Sequence, residues 1–186
     1  MDIHSGVRVA DGIVPQELRA DLQKLTRGPI WAFGWKSVKD HDRYSFWHAH
    51  FAGGDDNLDC ERELKGNDLA GPVYELWKLL ASTELRGQQL VRAYANGHTY
   101  GVEGYIHTDS DEAGYLTAIY YAHAHWDANW AGETVFYAGD ARKGVAVLPQ
   151  PGRVVVFPGL LPHVARGVSR ECPDLRVSIV FKTVPR

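Results

Sequence analysis

The chain has 186 residues, enough for one domain that buries roughly two-thirds of its unfolded surface without a disulfide or structural zinc to hold it. With 45% hydrophobic and 23% charged residues and a net charge of −3, it reads as a soluble globular protein. That balance excludes the basic footprint of a nucleic-acid binder, and no apolar run is long enough to span a membrane.

Cys60 and Cys172 lie far apart and form no CxxC pair, so no disulfide framework is implied. Residues 1–12 lack an apolar stretch flanked by positive charge and do not read as a signal peptide. A cytoplasmic protein is expected, monomeric or homodimeric, with neither nucleic acid nor membrane as partner.

In chain order, residues 7–10 read as a short strand closed by the Asp11-Gly12 turn. Residues 15–26 read as a helix. Pro15 sits in its first turn, where a missing N–H costs little, and Leu18, Leu22 and Leu25 share a face before Gly28-Pro29 ends it. An aromatic-rich strand is predicted over 44–51. The acidic, turn-rich stretch 52–71 then reads as a long surface loop or lid, with Asp55, Asp56, Asp59, Glu61 and Glu63 as a solvated face. Val73, Leu76, Trp77 and Leu80 form the apolar stripe of a second helix over 73–82.

From residue 89 the texture changes. Short apolar runs at 90–95, 105–107, 116–123, 134–137, 145–148, 153–157, 163–167 and 175–182 alternate with Gly, Pro, Asn and Asp. Evenly spaced short strands of this kind point to a β sandwich or barrel. The predicted fold is mainly β: a jelly roll with N-terminal helices packed outside it. A single domain is expected over 1–186, with 1–88 packing on a core formed by 89–186.

The central chemical motif is His107-Thr108-Asp109. In an extended segment residues i and i+2 share a face, so the imidazole and carboxylate can approach one ion together. Alone the triplet means little, since roughly 0.7 such triplets arise by chance in this composition. His163, at the start of a later strand, supplies a second imidazole. Two imidazoles and one carboxylate on one face are the ligand set suited to iron(II) oxygen chemistry. Thirteen residues on, Arg176 and Ser178 share one face of an apolar strand. A guanidinium there is costly unless paired, and with a hydroxyl beside it makes a good carboxylate clamp. The alternative is an outward-facing Arg on a half-exposed strand.

From about residue 90 to 182 the chain resembles the 2-oxoglutarate/iron(II) oxygenases of the prolyl-4-hydroxylase-like group. The resemblance rests on Arg92-Ala93-Tyr94 leading to His107-Thr108-Asp109, and on Thr117-Ala118-Ile119-Tyr120-Tyr121. It continues through Trp130-Ala131-Gly132-Glu133-Thr134, Pro151-Gly152-Arg153-Val154-Val155, and Pro162-His163 with Arg176-Val177-Ser178. It implies a double-stranded β-helix, the cupin-like jelly roll, with His107, Asp109 and His163 as iron ligands and catalytic residues. It also implies Arg176 holding the distal carboxylate of 2-oxoglutarate, with Ser178, Tyr94 and Thr134 in the same pocket. O2 is the co-reactant, and ascorbate a reductant.

Many prolyl-hydroxylase-type members use Lys where this chain has Arg176, and Lys182 stands as a rival clamp. Related halogenases replace the carboxylate with a small residue, so the retained Asp109 favours hydroxylation of an amino acid, prolyl-type residue or other small metabolite. Tyr44, Trp47, His48 and the 52–71 stretch are expected to shape the substrate pocket. The pairs His48/His50 and His123/His125, lacking a spaced carboxylate, read as structural or substrate-facing, and Trp126 and Trp130 as core or rim. The alternatives are a cupin-like metal-binding jelly roll without 2-oxoglutarate chemistry, and a nucleic-acid-directed oxygenase.

Overall fold

The computed structural model describes residues 6–40, 42–54, 59–138 and 143–186. Its elements in chain order are β1 (Arg8–Ala10), α1 (Gln16–Thr26), β2 (Ala32–Trp35), β3 (Phe46–Gly53), α2 (Cys60–Gly66) and α3 (Gly71–Ser82). There follow β4 (Gln88–His98), β5 (Leu116–Tyr121), β6 (Thr134–Tyr137), β7 (Gly144–Val147), β8 (Val154–Pro158), β9 (His163–Ala165) and β10 (Arg176–Pro185).

The predicted helices form, with two shifts: Pro15 is the extended N-cap of α1 rather than a first-turn residue, and α3 begins at Gly71 rather than at residue 73. The 52–71 stretch is corrected. Ala52 and Gly53 extend β3, and α2 and a 3-10 turn at Asp68–Ala70 follow, so the described part of this stretch is not a loop or lid. Cys60 and Leu64, one helical turn apart, are buried together with Ala70. The Asp59 side chain caps α2 by accepting from the Arg62 amide at 3.2 Å. Two buried anchors were enough to fold a segment whose other residues read as surface. Asp55 and Asp56 lie outside the described residues.

The strands form a seven-stranded antiparallel sheet, ordered β1-β8-β5-β10-β4-β3-β2, facing a three-stranded sheet, β7-β6-β9. Thus β1, β2 and β3 are hydrogen-bonded into the same sheet as the later strands. The 105–107 strand reduces to one isolated antiparallel bridge, His107 to His163.

Strand alternation divides the large sheet's side chains between two cores. Its outer face, with Ala95, Ala118, Ile179 and Phe181, packs under the helices against Leu76, Trp77 and Leu80. Its inner face turns Ile119, Tyr121, Val155 and Val180 toward Phe136 and Val147 of the small sheet. Two antiparallel sheets closing face to face make the jelly roll, and its interior is open where the site residues gather. No helix among the described residues is long and apolar enough to cross a membrane.

Candidate active site

The isolated bridge from His107 to the first residue of β9 brings the two predicted imidazoles together. His107 N donates to His163 O at 3.0 Å and His163 N to His107 O at 2.9 Å, leaving the rings 4.6 Å apart. Each Nδ1 is hydrogen-bonded to a carbonyl two residues back, His107 to Tyr105 O and His163 to Leu161 O, both at 2.9 Å. With each Nδ1–H donating there, both Nε2 atoms present lone pairs to the same point. Asp109 Oδ1 lies 3.7 Å from His107 Nε2 and Oδ2 lies 3.7 Å from His163 Nε2. The three ligand atoms stand within 4.8 Å of one another, spacing that a single ion can bridge.

Asp109 is fixed from several sides. Its amide donates to Gly159 O at 2.9 Å, and the Ser110 amide donates to the same carbonyl at 3.3 Å. Gly159 is required by this close approach, because a Cβ there would stand 2.6 Å from Tyr115 Cδ1 and 3.2 Å from Ser110 Cβ. Gly159→Ala should therefore destabilise the fold by about 1–3 kcal/mol, read from its denaturation midpoint.

On the carboxylate itself, Thr117 Oγ1 donates to Oδ2 at 2.6 Å and the Lys182 ammonium pairs with Oδ1. Burial works against ionising Asp109, but His163, Lys182 and the Thr117 hydroxyl outweigh it and hold the group at about 2. Burial dominates at His163, bringing it down to about 4. At neutral pH the carboxylate is charged and the His163 imidazole is neutral, the protonation states a metal requires.

Arg176 is not on an outward face; it is 1% exposed. Its Nε donates to Gly132 O at 2.6 Å and Nη2 to Thr134 Oγ1 at 2.9 Å, while the guanidinium carbon lies 5.4 Å from the centre of the Tyr121 ring. Tyr121 Oη and Thr134 Oγ1 are hydrogen-bonded at 2.7 Å. Burial lowers the Arg176 pKa. No carboxylate among the described residues lies within ion-pair distance of it. Arg176, Ser178, Tyr94 and Thr134 line one cavity with His107, Asp109 and His163.

Four positions were less legible. Lys182 reaches the Asp109 carboxylate, not the far end of the cavity where Arg176 sits. Asn96 and His98 line the cavity as well, and counting by twos from Tyr94 would have placed both on that face. Trp47 is corrected: alternation in β3 puts it on the opposite face from His48, packed on Phe33 at 5.1 Å.

The remaining aromatics and histidines are placed as follows. His123 is structural, with Nδ1 on Pro149 O at 3.0 Å and Nε2 accepting from the Val177 amide at 2.8 Å. Trp126 is buried and donates to Ala131 O at 3.0 Å.

Residues 91–181 match the model of the 2OG-Fe(II) oxygenase superfamily. Over that span the chain is a member of the 2OG-Fe(II) oxygenase superfamily. It is an oxygenase that uses iron(II), 2-oxoglutarate and O2, with a fold of the prolyl-hydroxylase type. A Pseudomonas putida prolyl-4-hydroxylase superposes with a TM-score of 0.64 at 18% identity, over 97% of this chain and 93% of that one. A Trichoplax adhaerens prolyl hydroxylase, in complex with a hypoxia inducible factor peptide fragment, gives 0.63 at 16% identity, over 97% and 84%. A 2OG-Fe(II) oxygenase family oxidoreductase from Burkholderia pseudomallei gives 0.69 at 15% identity, over 97% and 85%. No curated protein sequence matches the chain.

The donor set of this oxygenase fits its metal. Two imidazole nitrogens and one carboxylate, each oriented by a further hydrogen bond, suit iron(II) and leave open positions for other ligands.

Proposed function

We propose that His107, Asp109 and His163 hold the iron and that Arg176 holds the distal carboxylate of 2-oxoglutarate. The oxygenase then hydroxylates an unactivated C–H of an amino acid, prolyl-type residue or other small metabolite, releasing succinate and CO2. One observation carries the reading: a fully buried guanidinium without a carboxylate partner among the described residues shares a cavity with the His-Asp-His cluster. An isolated buried charge is expensive, and an anionic cosubstrate would supply the missing counter-charge.

Iron(II), when bound with 2-oxoglutarate as a two-electron reductant, would activate O2, which is the oxidant. The protein's share is placement. Gly132 O and Thr134 Oγ1 fix the guanidinium fork, so its remaining donors can take the carboxylate in a defined orientation. Tyr94 and Ser178 close the walls between that end and the ligands. Thr117 and Lys182 each engage one carboxylate oxygen of Asp109, which keeps the group ionised and fixes its orientation toward the two imidazoles.

Thr117→Val removes the hydroxyl and should weaken iron(II) binding by about tenfold, measured by anaerobic titration. The function itself is tested by incubating the iron-loaded enzyme with 2-oxoglutarate, O2 and a panel of candidate substrates. A hydroxylase forms succinate in step with a product heavier by one oxygen atom. Substrate-dependent succinate with no oxygenated product would overturn the hydroxylation reading.

A further inference from the structure

Where the large sheet borders the cavity, beside Tyr94 and Thr117, it carries more cation than its own side chains balance. On the inner face of the large sheet, β10 and β4 place Lys182 directly opposite Arg92, and Lys182 opposite Thr117 on β5. All three lie at the level of Asp109. Arg176 is six residues back along β10, roughly 20 Å at the rise of an extended strand, and pairs with His98. Lys182 is engaged by Asp109. Arg92 has no carboxylate within ion-pair distance among the described residues.

Arg92 is nonetheless held in place. Its guanidinium carbon sits 5.2 Å from the centre of the Trp35 ring and 5.0 Å from that of Tyr94, and Tyr94 lines the cavity with the cluster. Trp35 is in turn stacked on His48, centroids 4.2 Å apart and rings 10° from parallel. His48 donates from Nδ1 to Asn96 Oδ1 at 2.9 Å.

Two polar atoms here are buried without a hydrogen-bond partner: Arg92 Nε and His48 Nε2. They are two of five such atoms among the described residues, and these two stand beside a cation without a counter-charge next to the cavity, where a ligand would complete them. Aromatic faces orient a guanidinium without neutralising it, leaving its charge for an anion.

We propose that Arg92, clasped by Trp35 and Tyr94, binds a free carboxylate on the substrate, so that the substrate is a small carboxylic acid of the amino-acid type. This rests on the oxygenase reading above and adds the substrate class. Arg176 serves the cosubstrate deep in the cavity; Arg92 serves the substrate at the level of the metal ligands.

The test uses the full-length enzyme loaded anaerobically with iron(II) and 2-oxoglutarate, whose weak visible charge-transfer band reports the loaded site. Free L-amino acids, their hydroxy-acid analogues and the matching carboxamides are the probes. A free acid should perturb the band, and in air should raise succinate formation about tenfold or more, while its carboxamide does neither. Arg92→Met should retain the band, yet require about 30- to 100-fold more of that acid to perturb it. Arg92→Lys should recover part of the loss.

A carboxamide as effective as its acid would overturn the proposal, as would an unchanged acid requirement in Arg92→Met. A band that responds to no free acid would overturn it too, while leaving the oxygenase reading intact. Absence of the band from the metal-loaded wild-type protein would instead strike the oxygenase reading.

Discussion

Replacing Arg176 by Met should raise the 2-oxoglutarate concentration needed for half-saturation by about 100-fold. Truncating one partner of a buried, hydrogen-bonded charge pair costs about 2–5 kcal/mol, and each 1.4 kcal/mol is a factor of ten. The guanidinium is fully buried and tied to Gly132 O and Thr134 Oγ1, so solvent cannot replace it. Arg176→Lys keeps the charge but loses the fork, and should fall between the two at about tenfold. Iron(II) affinity without cosubstrate should change little in either variant, because the metal ligands are held by Tyr105 O, Leu161 O and Thr117 instead. Because Arg176 also bonds the protein's own backbone, thermal unfolding of each variant accompanies the titration. An unchanged 2-oxoglutarate requirement in a folded Met variant would remove Arg176 from the clamp.

The second large effect is expected at the ligands themselves. His163→Ala should weaken iron(II) binding by more than ~100-fold and abolish turnover, since loss of an outer-shell partner alone typically costs 10–100-fold. His163 is 6% exposed and its ring packs on Phe157 at 4.6 Å, so the loss should also destabilise the protein by about 1–3 kcal/mol. Equilibrium dialysis with iron(II) under nitrogen separates the two consequences if the variant stays folded. His163→Gln preserves more of the volume and should restore stability without restoring metal affinity.

Much of this site was legible because strand alternation is strict. Arg176 and Ser178 could be assigned to a shared face from parity alone, and both line the cavity; His107 and Asp109 line it too, although only an isolated bridge and a bend, not a strand, carry them. The β-rich second half was equally readable, since Gly, Pro and Asp punctuate its short strands. Two kinds of feature were hidden.

The first is a helix with little apolar surface. In α2 only Cys60 and Leu64 are buried, and the acidic groups around them resemble a loop. Asp59 is in fact its cap, and Glu63 accepts from the Gly53 amide at 2.8 Å, tying the helix to the end of β3. The second is a contact between separate strands. That Lys182 reaches Asp109, or that Arg92 faces Lys182, depends on how β10 is registered against its neighbours. Parity gives a side chain's face but not its partner, and a register shift of one residue changes every pairing.

The central claim is that one cavity holds both an iron(II) site and a 2-oxoglutarate clamp. Its most direct measurement is anaerobic titration of the iron-loaded wild-type protein with 2-oxoglutarate, followed by visible absorption. A saturable, weak charge-transfer band should appear, lost in His163→Ala and shifted to about 100-fold higher cosubstrate concentration in Arg176→Met. A folded, metal-loaded wild-type protein that shows no band, or an Arg176→Met titration superimposable on the wild type, would contradict it.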